Sequence, residues 1–471
     1  MDDLIWQDAT EQARAIRAGE TSAEALAATT LARIERWNPT LRAYVSVDTE
    51  RALATARAAD ALLAADGPDA APPFLGVPLS IKDVIAVEGL PTTHSAKALA
   101  GRVATADDPL VRRFRAAGFV VVGTTNVPEL CSSMTDSELN GTCRNPWNLD
   151  HTPGGSSGGA GAATAAGLCA LAHGTDGAGS VRAPASFCGL VGLKPSRGLV
   201  AFGPHESPDV YFGTSGPGLL TRSVRDAAAG LDVMVGTGSA EPAWSPRPSR
   251  AYADELADAL PRLRVAVCTT FPFGAIDDEP AAAAERTGEV LASLGHTVDK
   301  ASPDWWAILA GAGLPLEVPG GAALIGPEDE HLLEPRNRSM VQRLRALTVL
   351  EHARLVETAR SAAREFGRFW DDHDVLVTPT FGILPPPIGW APWDIAADDH
   401  LALFAGVANF THPFNISGQP ALSLPLSRSG SGLPIGVQLA GRYLDEALLL
   451  RLAAEIERAL PWAGVVPPAF A

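Results

Sequence analysis

The chain has 471 residues, 46% of them hydrophobic and 19% charged, an ordinary globular balance with material for a large core. A formal net charge of −17 argues against a nucleic-acid or anionic-membrane partner, since neither phosphates nor acidic lipid would be attracted. The start, "MDDLIWQDATEQARAIRAGE", has no basic-then-apolar leader pattern, and no apolar run reaches about 18 residues, so a cytoplasmic protein is expected.

In chain order, residues 4 to 65 read as helices. Leu26, Leu31 and Ile34 recur near helical spacing, Pro39 is expected to end that run, and "TERALATARAADALLAAD" forms a further helix before "GPDAAPP". "FLGVPLSIKDVIAV" reads as a strand with its neighbours, and "DDPLVRRFRAAGFVVVGTTN" as helix, glycine stop and strand. "LRVAVCTT" and the helical "PAAAAERTGEVLASLGHTV" repeat the alternation. One long helix is expected around residues 340 to 370, leading into "DVLVTPT". This order predicts an α/β fold with helices covering a sheet. No internal repeat or low-complexity linker marks a domain boundary, and the Pro-rich stretches at 244–248 and 385–387 read as surface loops.

The five cysteines (Cys131, Cys143, Cys169, Cys188, Cys268) contain no C-x-x-C pair, and the ten histidines no H-x-x-x-H. Neither a disulfide framework nor a metal site is signalled, and the cysteines, Cys188 beside Phe187 among them, are expected to be packing residues. Lysine usage is unusual: of 37 basic residues only Lys82, Lys97, Lys194 and Lys300 are lysines. Arg stays protonated whereas a desolvated Lys can lose its proton, so a Lys among apolar residues points to a task Arg cannot perform.

Glycine and serine concentrate in "HTPGGSSGGAGAATAAGLCALAHGTDGAGSVRAPASFCGLVGLKPSRG", residues 151 to 198. Neither phosphate-cradling pattern, G-x-x-x-x-G-K-[ST] or a strand-linked G-x-G-x-x-G, is present. "GGSSGG" matches the G-x-S-x-G nucleophile elbow through Ser156 or Ser157, but "NLDHTP" before it is a turn rather than a strand. "HGTDGAGSVR" fits better: small residues before Ser180 leave backbone N–H groups free to face a developing oxyanion. With Ser180 as nucleophile and no histidine within either glycine- and serine-rich cluster, "GGSSGG" or "GTDGAGS", the pattern points to a Ser–Lys arrangement, and Lys82 has the apolar flanks that role needs.

These blocks, with "TTNVPEL", "NPWN", "DVLVTPT", "PFNISGQPALSLPL" and "GLPIGVQLAGR", resemble the amidase signature enzymes from about residue 10 to residue 460. The resemblance implies one large α/β domain over residues 1–471, its mixed central β-sheet covered by helices on both faces. It divides into an N-terminal helical segment (1–70), a catalytic core (75–200), a variable substrate-shaping region (200–400) and a C-terminal return to the core (400–471). It further implies a triad of Lys82, a cis-configured Ser156 and the nucleophile Ser180, the two serines 24 residues apart. The oxyanion hole would comprise the amides of Gly177, Ala178, Gly179 and Ser180, supported by Ser157, Asp176 and Arg182. Many members have T-G-G before the nucleophile where this chain has Gly177, Ala178 and Gly179; position 178 is expected to accept alanine.

Lys194 is expected to be structural, and Asn126 and Glu129 to tie the scaffold around the site. Trp305 and Trp306 fall outside the family blocks; core packing is expected of them, with lining of an acyl pocket as the sharper alternative. The resemblance implies a small-molecule amide substrate and no cofactor, and is compatible with a homodimer. The leading expectation is an amidase acting on a small or aryl carboxamide. A glutaminase subunit of a tRNA-dependent amidotransferase and a biosynthetic acyltransferase use the same triad, whereas a non-catalytic binding protein would be expected to have lost a triad member.

Overall fold

The computed structural model describes residues 2–201, 213–236, 246, 248–310 and 321–470. Most of the Pro-rich stretch at 244–248 and residues 311–318 of the tryptophan segment therefore lie outside the described residues. One mixed sheet organises the chain. Its strands are β1 (Tyr44–Val47), β2 (Pro78–Lys82), β3 (Val120–Thr125), β4 (Leu171–Asp176), β5 (Val191–Lys194), β6 (Gly216–Thr221), β7 (Arg264–Val267), β8 (Thr297–Lys300), β9 (Val375–Pro379), β10 (Ala421–Arg428) and β11 (Pro434–Gly441). They lie in the order β1-β3-β2-β4-β6-β5-β10-β11-β9-β7-β8. β2 runs parallel to β3 and β4, and β7 parallel to β8 and β9, while the central strands β4, β6, β5, β10, β11 and β9 pair antiparallel in succession.

Side-chain alternation along the strands builds a core on each face. Val121, Leu171, Leu219, Val265, Val377, Leu422 and Val437 point to one core, with residues of the helices Pro109–Ala116, Val224–Met234, Asp278–Ser293 and Glu446–Ala459. Their sequence neighbours point the other way. Val120, Val122, Ala172 and Leu220 pack with helices Ala23–Leu41, Thr49–Asp66 and Gly158–Ala165. Ala266, Leu376, Ala421 and Ala440 pack with Trp305, Phe366, Phe410 and Phe414 in a separate aromatic cluster. Helices thus cover both faces of the sheet.

Three sequence expectations are corrected. Pro39 does not end its helix, which runs to Leu41 and closes on Arg42 in the left-handed conformation (φ 50°). Proline within the last turn forfeits only its own N–H bond, and the chain absorbs that loss. Residues 4 to 65 are not helical throughout: β1 interrupts them, fixed by Asn38, whose side chain accepts from Tyr44 N–H at 2.8 Å and donates to Tyr44 O at 3.1 Å. The helix around 340 to 370 is two helices, Pro335–Ala346 and Val349–Gly367. Leu347 is extended, and Thr348 begins the second helix through a reciprocal capping box with Glu351.

Candidate active site

The parallel pairing of β2 with β4 brings their carboxyl ends together, where α/β sheets commonly place ligands. Lys82 is the last residue of β2 and Asp176 the last of β4; Ser180 follows four positions beyond. Lys82 is fully buried, its Nζ lying 2.7 Å from Ser156 Oγ and donating to Thr175 Oγ1 at 2.8 Å and Thr175 O at 3.3 Å. Asp83, next in the chain, turns aside to accept from Thr93 N–H at 3.0 Å and from the Thr93 hydroxyl. His94 and His173 are buried near Lys82; burial first, joined at His94 by the Arg102 charge, brings each down to about 3. They stay neutral at physiological pH.

Ser156 follows a cis Gly155–Ser156 peptide and is 1% exposed. The close approach of the "CSSM" loop accounts for glycine before it: a Cβ on Gly155 would lie 2.1 Å from Ser133 O. Ser157 joins the two glycine clusters. Its N–H donates to Ser180 O at 3.1 Å, and its hydroxyl contacts Thr175 O at 3.2 Å and Thr175 N at 3.3 Å. Ser180 is half-buried, so of the three expected triad residues it is the one with open surface.

The loop carrying Ser180 rests on a buried charged hub. Asp176 accepts from Gly179 N–H at 2.8 Å, Val181 N–H at 3.1 Å and Asn415 Nδ2 at 2.9 Å, and pairs with Arg182 Nη2 at 2.8 Å. Burial works to raise its pKa, but the Arg182 charge and the bonds from Arg182 and Asn415 hold it well below the usual carboxylate range. Arg182 in turn donates to Thr411 O at 2.9 Å, Gln438 Oε1 at 2.8 Å and Asn415 Oδ1 at 2.6 Å. Both partners are fully buried, and the bidentate geometry compensates their desolvation.

Ala178 has no positive φ; the left-handed residue in this loop is Gly179, at φ +122°. The Gly179 amide, grouped with the oxyanion donors by sequence, is turned onto Asp176. The amides of Gly177, Ala178 and Ser180 have no acceptor among the described residues.

Outside this centre the expected scaffold residues do hold loops together. Asn126 Nδ2 donates to Arg42 O at 2.9 Å, and its carbonyl accepts from Gly159 N–H at 3.1 Å. Glu129 Oε2 accepts from Glu334 N–H at 2.9 Å and Asn337 Nδ2 at 2.8 Å. Lys194 is buried and donates to Pro195 O at 2.9 Å; burial, then the Arg182 charge, lowers it to about 7. Cys143, Cys169, Cys188 and Cys268 are buried and Cys131 half-buried. Trp305 belongs to the aromatic cluster, whereas Trp306 is 64% exposed.

Thr175, Thr411, Asn415 and Gln438 had no role assigned by sequence reasoning. Three of them lie inside quoted blocks, "HGTDGAGSVR", "PFNISGQPALSLPL" and "GLPIGVQLAGR"; Thr411 stands two residues before the second of these.

The amidase family model matches residues 25–311 and 323–450. A 6-aminohexanoate-cyclic-dimer hydrolase from Pseudomonas sp. (strain NK87) is 40% identical over 487 aligned residues, covering 98% of this chain and 97% of that protein. A hydrolase of the same name from Paenarthrobacter ureafaciens matches at 40% identity with the same coverage. A solved structure of 6-aminohexanoate cyclic dimer hydrolase complexed with substrate superposes with a TM-score of 0.89 at 38% identity, covering 99% of this chain and 100% of that one. With family match, relatives and fold in agreement over nearly its whole length, the chain belongs to the amidase signature family and is an amide hydrolase.

Proposed function

We propose that the protein hydrolyses the C–N bond of a small carboxamide through an acyl-enzyme on Ser180, with Ser156 as proton relay and Lys82 as base. The observation that carries this reading is a fully buried lysine whose Nζ lies 2.7 Å from the Ser156 hydroxyl. Burial disfavours the ammonium form. A neutral amine keeps two N–H groups, which the two Thr175 oxygens accept, and leaves its lone pair for the Ser156 proton. Once protonated, the same nitrogen has a third N–H to return.

Lys82 takes the Ser156 proton as Ser156 takes that of Ser180, and Ser180 Oγ forms a bond to the amide carbon. The amides of Gly177, Ala178 and Ser180 hold the developing oxyanion, which sits about 3 Å from such donors. Collapse breaks the C–N bond while the proton passes from Lys82 through Ser156 to the departing amine. Water, deprotonated along the same relay, then attacks the acyl-enzyme, releasing the acid and restoring Ser180.

Relatives at 40% identity are named for a cyclic dimer of 6-aminohexanoate, so cyclic and linear ω-amino-acid amides belong beside small aliphatic and aryl carboxamides in a substrate panel. Purified protein should release amine or ammonia and a free acid from at least one of them, and a fluorophosphonate should label Ser180. Absence of both turnover and label would overturn the reading. An amide product formed from an added amine, in preference to free acid, would identify an acyltransferase instead.

A further inference from the structure

The Ala178–Gly179 peptide is gripped from both ends. Its carbonyl accepts from the Thr411 hydroxyl at 2.6 Å, and its N–H donates to Asp176 Oδ1 at 2.8 Å. Thr411 is fully buried and is itself anchored: its carbonyl accepts from Arg182 Nη1 at 2.9 Å and its N–H donates to Asn409 Oδ1 at 3.1 Å. A hydroxyl has one proton, and Asn409 Oδ1 also lies within reach of it. The hydroxyl oxygen lies 2.5 Å from Asn409 Oδ1 and 2.6 Å from Ala178 O, so its proton is shared between them, and it is the one donor to Ala178 O among the described residues.

The grip matters because of what stands on either side of it. Uncompensated rotation about either bond that flanks the Ala178–Gly179 peptide would turn the amide of Ala178 or of Ser180, both without an acceptor among the described residues. Glycine at 179 offers no steric resistance of its own to that rotation. Restraint therefore has to come from outside the loop, from Asp176 below and Thr411 opposite. Thr411 also fills the space against Gly179, where a Cβ would lie 2.1 Å from its Oγ1.

We propose that Thr411 is a positioning residue for amide hydrolysis, its hydroxyl fixing the peptide that aims the Ala178 and Ser180 amides at the oxyanion. The inference rests on Ser180 being the nucleophile. Donors held in place before reaction stabilise the transition state more than the ground state, so their misalignment is read in kcat rather than KM.

Thr411→Val keeps the shape and removes the donor; Thr411→Ser restores the donor. With turnover normalised to active sites titrated by a fluorophosphonate, Thr411→Val should lower kcat about 10- to 100-fold with KM within about threefold, and Thr411→Ser should stay within about threefold of the unmodified enzyme. A purely structural role would lower the melting temperature and the titratable fraction while leaving kcat per titrated site unchanged, and that result overturns the inference. So would a Thr411→Ser variant as slow as Thr411→Val, or a loss confined to KM. If Thr411→Val does not fold, Thr411→Ala is judged by the same criteria. Labelling of the unmodified enzyme separates the two levels. No label on Ser180 removes the acyl-enzyme reading and this inference together, whereas a labelled Ser180 with unimpaired Thr411→Val turnover removes only the role of Thr411.

Discussion

The two glycine-rich clusters look alike in sequence and are built for different ends. In the first, glycine is demanded by close packing: a Cβ on Gly155 would meet Ser133 O at 2.1 Å, and one on Gly159 would meet Asn126 N at 2.4 Å and Ala43 O at 2.5 Å. At Gly155 and Gly159 every such contact is with backbone, which cannot move aside as a flexible side chain can, whereas a Cβ on Gly158 would meet the Thr135 side chain at 2.3 Å. In the second cluster, a Cβ on Gly177 would find nothing closer than Ser215 at 3.7 Å among the described residues. The loop is open at Gly177 but closed at Gly179, where a Cβ would lie 2.1 Å from Thr411 Oγ1, and it is braced below by the Asp176–Arg182 hub. Small residues therefore seat Ser156 against Lys82 in one case and clear space around Ser180 in the other.

The largest effect should come from removing what the first cluster is packed to serve. Lys82→Ala should slow acylation at pH 7 by about 10³-fold or more, measured as the rate of fluorophosphonate labelling. Labelling at an unimpaired rate would reduce the first cluster to scaffold. Next comes Gly159→Ala, whose methyl group collides with fixed backbone on two sides. It should destabilise the protein by about 3 kcal/mol in denaturant unfolding, while Gly177→Ala should leave stability within about 0.5 kcal/mol. Equal losses at the two positions would erase the distinction.

A smaller effect separates the supports by their response to pH. The contacts of the first cluster are mostly neutral backbone, whereas the second rests on charges that include Lys194, brought down to about 7 by burial and then by the Arg182 charge. Between about pH 7 and the ordinary lysine pKa near 10.4, the unfolded chain holds a proton that the folded chain lacks. Stability from this group is complete only above the unfolded value and is lost as pH falls toward 7. Lys194→Met removes the titration, so the variant-minus-parent difference in unfolding free energy should decline from pH 7 to pH 10. A difference independent of pH over that range would place Lys194 outside the titrating support.

Much of this organisation is legible in sequence, for identifiable reasons. Continuous apolar runs such as Val120–Val122 make strands recognisable, and the sparing use of lysine singles out Lys82 and Lys194, the two that are buried, while Lys97 and Lys300 form surface ion pairs with Glu138 and Glu285. The break before Thr348 was present as T-x-x-E, but the helical periodicity on both sides masked it. Thr411, Asn415 and Gln438 carry no local signal. They reach Asp176 and Arg182 across more than 200 residues of chain, only because β10 and β11 lie beyond β6 and β5 in the sheet. Trp305 and Trp306 are adjacent in sequence and differ only in the side of the helix they occupy, so composition could not say which one is core.

Position 178 should give the smallest response. The usual concern with alanine in place of glycine is strain at positive φ, but the left-handed residue here is its neighbour, Gly179. Ala178 is held through its carbonyl, by Thr411, and a carbonyl is indifferent to the side chain on its own residue. Ala178→Gly adds freedom to the unfolded chain and relieves nothing in the folded one, which should destabilise the protein by about 0.4–1 kcal/mol. Turnover should change by less than about threefold, since the grip on the peptide is unaltered. A hundredfold gain in kcat would mean that the alanine obstructs the oxyanion site, and that position 178, like 179, has no room for a methyl group.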